Sequence, residues 1–206
     1  MRQDIQDKLK EIKGRFRLMM NGVASRSMRD KGIGYKINWG IGLPALKEMA
    51  QDYGKDYDLA VELWKEDIRE CKILATLIMP ADKMPSDIVG LWASSLGNQE
   101  IAEMAAFNIF RYLDDAKKYA FGWIASSNDI EVICGYNVLS RLFVSGETLD
   151  EREADEFLDQ AQAAVADKNL SVRHAAVNAL ARFAGIDDAC RKKIESVFKS
   201  CNLDIL

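Results

Sequence analysis

Apolar residues recur along most of the chain at steps of three and four. Ile5, Leu9, Ile12, Phe16 and the Met19/Met20 pair trace one stripe over residues 2–22, the period of an amphipathic helix. The stripe stops near Gly22. One glycine-rich stretch follows, "DKGIGYKINWGIGLP". It has neither the Gly-Lys-Ser/Thr of a phosphate loop nor the strand-before-helix setting of a dinucleotide fingerprint. It reads as a connection into the helix "PALKEMAQDYG", where Pro44 suits the first turn. Further helices are expected over roughly 57–65, 67–79, 85–95, 99–113, 115–126, 129–143, 150–166, 170–184 and 187–201. Three prolines interrupt 206 residues, and no segment sustains strand alternation. The pattern predicts an all-α chain.

Short helices in close succession call for a repeat search. "FNIF" (107–110), "YNVL" (136–139) and "VNAL" (177–180) share an Asn followed, two residues on, by a large apolar residue. The second and third copies extend to "GYNVLSRLF" and "AVNALARFA", which agree at Asn, Leu and Arg under an offset of 41. Each follows a polar turn: "LGNQ", "SSND" and "DKNL". "KEDIRECKILATLI" reads as an earlier copy without the Asn. Irregular spacing with paired helices points to HEAT-like repeats, each unit burying one face on its neighbours. The expected architecture is an α-α superhelix, C-shaped, with a concave groove. No heptad persists, which argues against a coiled coil. The organisation is read as one repeat domain over 1–206, with a basic N-terminal helix and loop over 1–35 and helical repeats over 36–206.

Charge narrows the partners. The net charge is −4, yet residues 1–36 hold ten Lys/Arg against four Asp/Glu. The remainder is therefore strongly acidic, a poor generic partner for a phosphate backbone. The basic N-terminal face still offers an anionic contact. The stretch "DEREADEFLDQAQAAVADKN" reads as an acidic amphipathic helix with a solvated outer face. No run of 18 apolar residues suggests a membrane span. The N-terminus lacks the apolar core of a signal peptide, so a cytoplasmic location is expected. Cys71, Cys134, Cys190 and Cys201 lie far apart with no C-x-x-C pair, and there is one histidine. Neither a metal site nor a cofactor is expected. The end, "SCNLDIL", is apolar enough to cap the array or touch a partner.

A polar stripe is the clearest binding signal. His174, Asn178 and Arg182 recur every four residues and so share a helix face. Asn137 and Arg141 repeat the step, and Asn108 is followed by Arg111 at i+3. On a concave surface these asparagines would form a ladder flanked by arginines. A primary amide both donates and accepts, which suits an extended peptide backbone, as in armadillo repeats. The structural alternative is that each Asn binds a neighbouring repeat.

"GIGLPALKEMAQDYG" followed by "LAVELWKEDIRECKILATLIM" resembles the opening of the DNA alkylation repair family, the HEAT-like-repeat glycosylases of alkylated purines. "WIASSNDIEVICGYNVLSRL" and "DKNLSVRHAAVNALARFA" resemble its later repeats. The likeness covers roughly residues 36–186. It implies a groove that grips duplex DNA, and excision of the base by hydrolysis of the N-glycosidic bond. That chemistry uses a carboxylate beside a stacking Trp, an Arg and a second Trp. The family's Trp-x-x-x-Asp step falls on Gln99 and Glu103, which keeps an acid and loses the aromatic. The Arg falls within "EVICG", Glu131 to Gly135, where none exists, and the second Trp falls on Asn178. Trp64, Trp92 and Trp123 are expected in the core. Glu103 is thus the one catalytic candidate. Two readings stand open: a DNA-binding member of that family, active or degenerate, and a scaffold binding a protein or an extended peptide.

Overall fold

The computed structural model describes residues 3–199. The segment "SCNLDIL", with Cys201 and the expected end of the last helix, lies outside the described residues. The described chain is helical throughout: α1 (Gln3–Leu18), α2 (Gly22–Asp30), α3 (Leu43–Tyr53), α4 (Tyr57–Lys65), α5 (Arg69–Ile78), α6 (Ser86–Ser94), α7 (Gln99–Asn108), α8 (Ala116–Ile124), α9 (Asp129–Val144), α10 (Glu151–Val165), α11 (Leu170–Ala184) and α12 (Asp188–Lys199). No strand occurs among the described residues; one isolated parallel bridge joins Ile37 to Ile68. The chain packs as two compact units, Met1–Ile109 and Phe110–Leu206.

In the first unit α1 buries the expected Ile5, Leu9, Ile12 and Phe16 and packs on α4. Helix α5 is the centre: it packs against α3, α4 and α7 and buries Arg69 and Glu70 together with its apolar residues. Trp64 and Trp92 stack with ring centroids 4.1 Å apart and planes 5° from parallel. The Trp64 indole N–H donates to Ser95 Oγ at 2.9 Å. Both tryptophans are core, as expected.

Two elements depart from the sequence expectation. The stripe over 2–22 is not one helix. Helix α1 ends at Leu18, and Asn21, in extended backbone, caps a separate α2 by accepting from the Ala24 N–H at 3.0 Å. Asn is a favoured N-cap because its side chain replaces a missing helical acceptor. The helix expected over 99–113 also breaks. Helix α7 stops at Asn108, and a 3-10 turn at Phe110–Tyr112 follows. Phe110 turns inward against Trp123, centroids 4.8 Å apart, and that burial outweighs the local preference for one continuous helix.

In the second unit α9 packs on α8 and α11, and α10 on α11 and α12. Phe143, Phe157 and Phe183 form its aromatic centre, with centroids 5.3–5.4 Å apart. Gly135 lets α9 approach α8: a Cβ there would stand 2.8 Å from the Ala120 carbonyl oxygen. The repeating feature of the fold is a cap. Asn98, Asn128 and Asn169 open α7, α9 and α11, each side chain accepting a backbone N–H at 2.9–3.1 Å. Asn169 also donates to Asp129 at 2.8 Å, tying the starts of α9 and α11 together.

Candidate functional site

Gln99 and Glu103 share a face at the start of α7, and the Gln99 amide donates to Glu103 at 2.7 Å. They line a cleft of about 460 Å³ with Lys31, Gly32, Ile33, Asn98 and Glu100. No aromatic side chain and no arginine lines it. A carboxylate can stabilise the cation that develops when an N-glycosidic bond breaks, but it must act on a positioned nucleotide. Trp64, Trp92 and Trp123 are buried, so none of them presents a face beside Glu103. The segment "EVICG" is interior: Val132, Ile133, Cys134 and Gly135 are buried in α9. Asn178 is exposed on α11. Among the described residues no group of three or more His, Cys, Asp or Glu is placed to hold a metal ion.

Beside that cleft lies a buried ionic clasp that the sequence did not disclose. Arg69 is 4% exposed and Glu70 fully buried. Glu70 accepts from the backbone N–H of Trp39 at 3.1 Å and of Ile41 at 3.2 Å. Arg69 donates to the Ile41 carbonyl at 2.9 Å and grips Glu100. The Tyr35 hydroxyl donates toward Asn98 and Glu100, and burial pushes its pKa well above the ordinary tyrosine value. The glycine-rich stretch is therefore not a slack connection. Its backbone N–H groups are held by the Glu70 carboxylate.

The second unit gathers positive charge. Arg111 lies in the 3-10 turn, Arg141 on α9 and Arg182 on α11. The pKa of Arg141 is held below its ordinary value, first by burial and then by the charges of Arg111 and Arg182. Neither Arg111 nor Arg182 pairs with an acid among the described residues. Arg111 instead covers the Tyr112 ring at 4.4 Å and donates to its hydroxyl. Tyr112 is 56% exposed. Sequence spacing gives no hint of it, because that spacing runs Arg111 and Tyr112 into a continuous helix. Among the described residues His174 and Asn178 are exposed and make no hydrogen bond.

The three matched asparagines stand in three settings. Asn108, in the first unit, donates to Thr76 Oγ1 at 2.9 Å. Asn137 donates to the carbonyl of Ile133 in its own helix at 2.8 Å. Asn178 is free.

Paired helices with capped starts, stacked through small and apolar faces, define a HEAT-like helical-repeat protein. A family model described as DNA alkylation repair enzyme matches residues 21–201; the chain belongs to this family. None of the curated proteins compared matches it. Among solved structures it is similar to one described as "a new family of proteins related to the HEAT-like repeat DNA glycosylases with affinity for branched DNA structures". The TM-score is 0.80 at 16% identity, covering 92% of this chain and 81% of that one. At that identity the likeness is one of fold.

Proposed function

We propose that this chain is a DNA-binding member of the DNA alkylation repair family that grips phosphates through Arg111, Arg141 and Arg182 and does not excise bases. The observation that carries it is that Arg141, partly buried, stands in the field of both Arg111 and Arg182, and that these two have no acidic partner among the described residues. Like charges held together in a partly desolvated place destabilise one another, and a phosphate bridging them reverses the sign. Asn178, His174 and the exposed ring of Tyr112 supply further donors and a stacking face at the same unit's surface. Binding is local, because the chain as a whole is acidic. The structural neighbour's described affinity for branched DNA makes branched DNA the first substrate class to try.

Glu103 lacks the partners that base excision needs. The scaffold reading, an asparagine ladder on a peptide backbone, is less well supported, because the amides of Asn108 and Asn137 already donate within the protein. The test is a mobility-shift titration on duplex and three-way-junction DNA over a range of salt, with release of methylated purines assayed in parallel. Salt-dependent binding with no base release above a Glu103→Gln control is expected. Absence of any salt-dependent binding at low ionic strength would overturn the proposal, and base release abolished by Glu103→Gln would overturn its non-excising part.

A further inference from the structure

The corner between α1 and α2 carries an unusual surface. Leu18 is 88% exposed, Met20 60%, Val23 82% and Met19 38%. Single exposed apolar residues are ordinary, but four within six positions form a patch that calls for an explanation.

The patch is not a fraying end. The Asn21 N–H donates to the Trp39 carbonyl at 2.8 Å. Buried Ser25 donates its hydroxyl to the Asn38 carbonyl at 2.7 Å. Gly40, at φ +71°, lies so close that a Cβ there would stand 2.2 Å from Asn21 O and 2.7 Å from Ser25 N. Trp39 and Ile41 are in turn fixed by Glu70 and thus by Arg69. The interior clasp thus anchors the stretch against which the start of α2 packs.

The basic residues of α1 and α2 include two sets. Lys8, Lys13 and Arg15 pair with Asp56, Glu66 and Asp52 at 2.7–2.8 Å. Arg17, Arg26 and Arg29 have no acidic partner among the described residues, and these three flank the apolar corner in sequence. Asp30, at the end of α2, is the nearest acid along the chain.

We infer that this corner is an interaction surface for branched DNA: an apolar wedge that enters the opened base step at a branch while Arg17, Arg26 and Arg29 hold the adjoining phosphates. Unstacked bases offer apolar faces flanked by anions, the complement of what the corner presents. An anionic membrane surface also attracts basic and apolar groups, but an amphipathic helix lying on one presents an apolar face along its length. The apolar stripe of α1 (Ile5, Leu9, Ile12, Phe16) is buried in the protein. Along α1 and α2 the exposed large apolar residues are confined to positions 18–23. This inference rests on the DNA-binding reading above and assigns it a second contact, in the first unit.

The test compares wild type with Leu18→Ser/Met20→Ser/Val23→Ser on a three-way junction and a matched duplex at one salt concentration. All three side chains are exposed, and retained circular dichroism checks that the fold survives. Junction affinity is expected to fall about tenfold, with duplex affinity changing less than about twofold. A 2-aminopurine at the branch point should brighten on binding wild type and not the variant. Arg17→Gln/Arg26→Gln/Arg29→Gln should lower the salt slope on the junction. Equal loss on junction and duplex, or unchanged junction affinity in the serine variant, overturns the inference and leaves the arginine cluster standing. So does binding to phosphatidylserine vesicles with no brightening at the junction, or a dimer that the serine variant dissociates. Wild type that binds neither DNA overturns both proposals.

Discussion

Arg69 holds Glu100 through contacts of 2.7, 2.8 and 3.0 Å from its Nη2 and Nε, with the guanidinium almost wholly out of water. One residue along, Glu70 has no exposed surface at all. Two carboxylates therefore depend on one guanidinium, two backbone N–H groups and the Tyr35 hydroxyl. Removing the cation leaves buried negative charge with half its partners. Arg69→Leu is expected to cost about 3–5 kcal/mol. Glu100→Gln, which keeps the shape and loses one charge, is expected to cost about 1.5–3 kcal/mol. Urea unfolding of both variants checks this. An Arg69→Leu protein within about 1 kcal/mol of wild type would show that the clasp does not stabilise the fold.

Tyr136 gives a prediction of the opposite sign. Its side chain is fully buried on α9, and its hydroxyl has no hydrogen-bond partner among the described residues. A buried hydroxyl left unpaired has lost water without compensation. Tyr136→Phe removes it without opening a cavity. The variant should be more stable by about 1 kcal/mol, a rise in Tm of about 2–4 °C for a chain this size. A drop in Tm on calorimetry would mean that the hydroxyl is satisfied in solution.

Alkaline pH should weaken the fold. Burial raises Cys71 from its ordinary 9.0 to about 12 and also raises Cys134, Tyr35 and Tyr136. Well below pH 8 these groups are protonated in folded and unfolded chains alike, so they contribute no slope. As pH climbs through 9 and 10 the unfolded chain sheds protons that the folded chain keeps, and stability falls. Urea midpoints at pH 7.5, 9 and 10.5 should decline in that order. The same shift lowers thiolate content, the reactive form. At pH 8 Cys71 holds roughly a thousandfold less thiolate than an ordinary cysteine. Mass mapping of iodoacetamide adducts should find Cys71 and Cys134 unmodified until denaturant is added. Rapid modification of either in the native protein would contradict their burial.

Helix content and core were legible because amphipathic period is a local property. The α1 stripe buries Ile5, Leu9, Ile12 and Phe16 and leaves its Met19/Met20 end exposed, and α10 and α11 likewise bury apolar faces at helical spacing. The polar turns of the repeats were legible too, but their meaning was misplaced. The asparagines within "FNIF", "YNVL" and "VNAL" look equivalent in sequence, yet Asn108 ends a helix while Asn137 and Asn178 sit inside one. The asparagines with a common role are Asn98, Asn128 and Asn169, in the turns just before. The break before α2 was marked by Asn21 and Gly22, and the spacing read Gly22 as the stop of one helix where it is also the start of the next. The Arg69 clasp was not readable at all. Its partners Glu100 and Ile41 lie 31 and 28 residues away, and no local pattern pairs them. The arginines of the second unit were visible as single positions; that Arg111, Arg141 and Arg182 act on one another is a property of the packing.

That mutual action gives the sharpest test of the binding site, because stability and affinity should move in opposite directions. Burial first, and then the charges of Arg111 and Arg182, depress the pKa of Arg141, so each of the two neighbouring charges opposes the folded state slightly. The Arg182 side chain is exposed and makes no hydrogen bond or ion pair among the described residues. Arg182→Gln therefore removes a repulsion and breaks nothing. Its Tm should stay level or rise by a degree or two. DNA affinity should nonetheless fall severalfold, and the slope of log affinity against log salt should shrink by about 1, the signature of one phosphate that the protein no longer neutralises. Arg182→Lys should retain the slope and lose less affinity, since a point charge still releases a counterion. A surface arginine with only a structural role predicts the reverse, a lower Tm and an unchanged slope. The two measurements together separate a residue kept for an anion from one kept for the fold.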